Sequence, residues 1–190
     1  MADSQSIQED LAYVRAAADR SESIHIPSIY VLWAVICLIG FPLVDFAGPG
    51  SWWIPVYWLT AGPVGGLVTW RLAVRAERRT GQVNQEEGRR WAFHFLAFGA
   101  TGLLGYGMVA AGQLTWTGLT SLWILLIGLT YILAGLHLER RMLPVGIVVL
   151  AGYLVALFVP EYGFTSMGVM VAVALALQAY LGMQGRHAAN

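Results

Sequence analysis

Few side chains in this 190-residue sequence combine a reactive type with a suggestive position. Three of the four histidines, His25, His94 and His137, flank or enter apolar stretches near positively charged joints. Two histidines on facing helices can ligate a haem iron axially, and three can hold a metal ion. No carboxylate pattern accompanies them, and an interfacial histidine that hydrogen-bonds a neighbour or a lipid headgroup satisfies the same spacing. The single cysteine, Cys37, has no partner for a disulfide and lies inside an apolar run, where a small buried side chain is expected. Ser121 and Ser166 have no histidine or lysine close in sequence to act as a base. The sequence contains no GxSxG, HExxH or paired-aspartate signature, so enzymatic function is not expected.

A second group of candidates is defined by backbone rather than side-chain chemistry. In Thr60-Ala61-Gly62-Pro63-Val64-Gly65-Gly66 a proline interrupts an apolar segment and removes the hydrogen bond to the carbonyl of Leu59. Gly62 and Gly66 stand at GxxxG spacing beside it. Thr60, Gly62, Pro63 and Gly66 are therefore candidates for lining a ligand site or pore, with close helix packing as the simpler use of the glycines. The third group is cationic. Arg71, Arg75, Arg78, Arg79, Arg89 and Arg90 are concentrated in one polar stretch, and Arg140 and Arg141 form a second. These arginines read as topology anchors or as a cytoplasmic docking surface.

The elements that position these residues follow from composition. Hydrophobic residues make up 57% of the chain and charged residues only 12%, about half the charge of a soluble domain. Apolar blocks about 20 residues long alternate with short polar joints, as the thickness of a bilayer demands. The expected fold is all-α, a polytopic transmembrane bundle with six spans near 28–46, 52–71, 91–111, 116–138, 143–159 and 164–183. Pro42 is expected to kink or end the first span, and Pro63 to bend the second, which continues as a solvated helix towards Arg79. Thr80-Gly81 reads as a helix stop and Asn84 as the next N-cap. Glycines at 99, 102, 105 and 107 leave the third span open to close neighbours. Trp52, Trp53, Tyr57, Trp58 and Trp116 read as an interfacial aromatic belt.

Ahead of the spans, residues 1–26 are expected to hold a short amphipathic helix and a joint. Ser6 and Glu9 have capping-box spacing, and Ile7, Leu11, Val14 and Ala18 form one apolar stripe. The polar, acidic start lacks the pattern of a signal peptide. The segment Ile7-Gln8-Glu9-Asp10-Leu11-Ala12-Tyr13-Val14-Arg15, followed by a span containing Val31-Leu32-Trp33, resembles the start of a group of small bacterial six-helix membrane proteins without an assigned activity. That resemblance covers roughly the first quarter of the chain, has a weaker echo at 129–141, and implies a defined N-terminal module but no catalytic residues.

Arginine placement then gives orientation. The joints at 71–90 and 140–141, the N-terminal segment and the 186–190 tail hold all eleven basic residues, and the opposite joints carry only Asp45 and Glu161. Both termini are expected in the cytoplasm of a bacterial cell. The absence of charge deep in the spans weighs against an ion-coupled transporter. Zero net charge gives no reason to expect nucleic acid. The expected function is that of a non-enzymatic interaction or regulatory subunit in contact with membrane lipid, a homo-oligomer or part of a membrane complex, with no cofactor. The alternatives are a small oligomeric channel or carrier for a neutral solute, and a haem- or metal-binding protein using His94 and His137, with His25 as a further ligand.

Overall fold

The computed structural model describes residues 26–48, 50–80, 85–159 and 161–188, and these are helical with no strand. The helices are α1 (Pro27–Gly40), α2 (Pro42–Ala47), α3 (Trp53–Thr80), α4 (Gln85–Ala110), α5 (Trp116–His137), α6 (Met142–Phe158) and α7 (Gly163–Ala188). The expected N-terminal helix, His25 and the Asn84 cap lie outside the described residues.

Local chemistry sets the boundaries. Pro27 opens α1, where its missing N–H costs nothing. Pro42 cannot donate to Leu38, and the helix breaks at Phe41 into α1 and α2, together one kinked apolar segment of 21 residues. α4 ends in a Schellman-type turn. Gly112 takes φ +70, and Gln113 N–H bonds back to Met108 O. Three residues on, the Thr115 side chain accepts from Gly118 N–H and caps α5. α3 runs unbroken through Pro63.

Four segments, Pro27–Ala47, Gly88–Ala110, Trp116–His137 and Gly163–Gln184, are long and apolar enough to cross a membrane. The expectation of six such spans is not met for the other two helices. α6, at 17 residues, measures about 25 Å against a hydrocarbon core of about 30 Å. α3 is long and uncharged from Trp53 to Trp70, but its tryptophans, prolines, threonines and glycines dilute its aliphatic content.

Successive contacts are antiparallel. α5 and α6 meet so closely that a Cβ on Gly135 would sit 2.4 Å from the backbone nitrogen of Leu143, and one on Gly146 would sit 2.7 Å from Ile132 N. Gly152 faces Met167 between α6 and α7, while Gly168 faces Phe41 and Pro42 between α7 and the α1–α2 break. Val145, Val149, Met167, Val171 and Leu175 fill the centre and are essentially inaccessible. α4 joins through Gly102 and Gly105, which receive Trp123 and Leu119 of α5. α3 joins α1, with Tyr57 Oη donating to Ile36 O and Trp33 Nε1 to Thr69 Oγ1. The helices thus lie in the order α4, α5, α6, α7, α1, α3. The sequence neighbours α3 and α4 make no contact among the described residues.

Candidate functional site

The antiparallel order brings six helix termini to one end of the molecule: the starts of α1, α4 and α6 and the ends of α3, α5 and α7. Eight arginines collect there, and all are exposed: Arg71, Arg75, Arg78 and Arg79 on α3, Arg89 and Arg90 on α4, and Arg140 and Arg141 between α5 and α6. On α3 they recur at i, i+4, i+7 and i+8, so they share one face. Glu77 falls on another face of α3 and is half-buried. Glu86 pairs with Arg90 one turn along its own helix, Nη2 to Oε1 2.7 Å. An exposed pair of this kind adds little to stability. Sequence order suggests that Glu77 offsets the basic stretch, but helical geometry leaves the α3 arginine stripe free of acids.

A tyrosine ties this end together. Tyr30 of α1, only 3% exposed, donates its hydroxyl to Glu139 Oε1 at 2.7 Å across 109 residues of sequence. The bond fixes the start of α1 beside the α5–α6 joint, so Arg140 and Arg141 stand near the point where the chain enters the bundle at Ile26. The opposite end has a matching clamp. Asp45 Oδ2 accepts from Thr165 N–H (2.6 Å) and Thr165 Oγ1 (2.7 Å), capping α7 from α2 across 120 residues. A carboxylate at a helix N-terminus satisfies a free N–H and complements the helix dipole. Neither clamp was legible from spacing, because the partners are remote in sequence. The one available signal was Asp45 itself, a lone charge at the end of an apolar run.

His94 and His137 are not brought together. His94 is half-buried, and its Nε2 lies 3.0 Å from the carbonyl oxygen of Thr130. A carbonyl only accepts, so Nε2 carries the proton and is committed to α5. His137 is the exposed last residue of α5. It lies seven residues, about 10 Å, further along the helix than Thr130. Among the described residues no group of three or more His, Cys, Asp and Glu side chains is arranged to hold a metal ion. Cys37 is buried in the core.

The α3 candidates separate as well. Gly62 and Gly66 share a face, and a side chain on either would meet nothing within 4 Å, so that face has no neighbour among the described residues. Pro63 is exposed beside them. Thr60 lies off that face, and its hydroxyl is committed to Val56 O and Tyr57 O of its own helix. The Ser121 hydroxyl likewise bonds Thr117 O. Of the belt aromatics, Trp52 and Trp53 stack at 3.8 Å and remain over half exposed, whereas Trp58 turns inward onto Phe41. Sequence reasoning missed Trp123, whose ring fills the space left by Gly102 and whose buried Nε1–H meets no hydrogen-bond partner within the distance and angle of a good bond among the described residues.

Comparison with protein-family models, curated proteins and solved structures gave no match to this chain.

Proposed function

We propose that the chain is a six-span protein of a bacterial cytoplasmic membrane, both termini cytoplasmic, that serves as a non-enzymatic interaction or regulatory subunit docking through its basic end. The observation that carries this reading is the acid-free stripe of Arg71, Arg75, Arg78 and Arg79, exposed at the same end as Arg140 and Arg141. Arginines needed only as anchors have no reason to share one face of a helix that projects past its neighbour. The six-span topology draws support from packing. α6 runs antiparallel between α5 and α7 over its whole length, so a membrane crossed by both flanking helices encloses it too. α3 is held along α1 by two hydrogen bonds and carries no charge from 53 to 70. The positive-inside rule then puts the arginines in the cytoplasm. Copurification in mild detergent is the test, and one soluble or membrane partner in fixed stoichiometry is expected.

A second reading, a small oligomeric carrier or channel for a neutral solute, is favoured by one observation. Among the described residues α3 and α4 do not touch, and nothing covers the Gly62–Gly66 face beside the freed Leu59 carbonyl. Proteoliposome flux that is lost on filling this face with Gly66→Leu would support it over docking.

A further inference from the structure

The basic end lies where the chain outside the described residues begins. Trp33 stands opposite Thr69, and the antiparallel register puts Ile26 level with the turn Arg75–Arg79. Tyr30 on Glu139 places the same point beside Arg140 and Arg141. The chain therefore enters the bundle, at Ile26, between two groups of exposed arginines. Residues 1–25 carry the opposite charge. Asp3, Glu9, Asp10, Asp19 and Glu22 outnumber Arg15 and Arg20, for a net −3. The basic end has nine arginines, counting Arg186, against Glu77, Glu86, Glu87 and Glu139, a net +5. At contact distance such an imbalance is screened only in part by physiological salt.

Length and pattern also fit. The sequence predicts a helix from Ile7 to about Ser21, about 22 Å long, whose stripe of Ile7, Leu11, Val14 and Ala18 requires an apolar surface. Residues 22–25 span at most about 14 Å, enough for a turn that lays that helix back onto α3 but not to carry it to the opposite end of the bundle. On one flank of the arginine stripe α3 offers Leu72 and Ala76, and on the other Val74, all half-buried.

We propose that the N-terminal segment docks on the basic end of its own chain, its apolar stripe along the last turns of α3 and its acids on Arg75, Arg78 and Arg79. In that position it occupies the surface assigned above to a partner and acts as a built-in competitor. The competitor role rests on the partner reading; the docking itself does not.

The test uses the full chain in zwitterionic lipid nanodiscs, with Cys37→Ala and spin labels at Ala12→Cys and Gln85→Cys. The expected result is one narrow distance distribution. Reversing Arg75, Arg78 and Arg79 to Glu, or Asp10, Asp19 and Glu22 to Arg, abolishes the narrow component, and combining both sets restores it. Restoration excludes misfolding as the cause of either loss. A broad distribution in the unreversed protein overturns the proposal, as does a narrow one indifferent to both reversals. A narrow component that appears only with anionic lipid assigns the arginines to headgroups and overturns it too. No partner protein is present, so failure here leaves the partner reading standing, and a missing partner leaves the docking standing.

Discussion

Asp45 shows how much one side chain contributes to this fold. It closes the N-terminus of α7 with two short bonds to Thr165, joining segments 120 residues apart in sequence. Removing such a cap costs roughly 1–2 kcal/mol. Asp45→Ala is therefore expected to lower the melting temperature in detergent, and Asp45→Asn to recover part of the loss by keeping an acceptor. Because both contacts share one carboxylate oxygen, Thr165→Ala should add almost nothing once Asp45 is gone. Additive losses in the double variant would show that the two residues act independently. The histidines mark the limit of sequence reading at this scale. That His94 and His137 lie toward the same end of the bundle was legible, but not that His94 spends its proton on Thr130 O, since a backbone carbonyl leaves no trace in sequence.

Helix by helix, the break at Pro42 was legible because a proline acts within its own segment, whereas the turn at Gly112 and the cap at Thr115 were not singled out, and two of the six expected spans are not long and apolar enough to cross a membrane. Which glycines meet a neighbour was not legible, since GxxxG spacing is the same on a used face and an open one. The structure separates them. At Gly135 a Cβ would collide with the backbone of Leu143, which cannot rotate away, so Gly135→Ala should cost about 1–3 kcal/mol and loosen α5 from α6. Gly62→Ala meets nothing and should be neutral or slightly stabilising through helix propensity. Thermal unfolding of the two variants side by side checks the contrast, and equal losses would contradict it. The short α6 and the dilute α3 call for a separate measurement. In a Cys37→Ala background, Gln113→Cys and Glu161→Cys should react with an impermeant thiol reagent in right-side-out vesicles, and Gln85→Cys and Arg140→Cys only in inverted ones. Arg140→Cys and Glu161→Cys reacting from the same side would mean that α6 does not cross.

Taken as a whole, the molecule is a succession of pairwise helix contacts whose two terminal members, α3 and α4, are adjacent in sequence and make no contact with each other among the described residues. That order follows from side-chain fits between distant segments, such as Trp123 in the space at Gly102 and Phe41 against Gly168, and composition does not encode it. The gathering of the arginines was half legible. Their alternation with joints that hold no basic residue was in the sequence, whereas their single stripe on α3, with Glu77 on another face, needed helix geometry. The account stands on that stripe being a working surface rather than an anchor. The most direct measurement is copurification from the host membrane of the unaltered chain beside the Arg75→Glu, Arg78→Glu, Arg79→Glu variant, both shown by vesicle labelling to keep the same topology. The account predicts a partner in fixed stoichiometry with the former that is lost from the latter. A partner retained equally by both, or none with either, would contradict it.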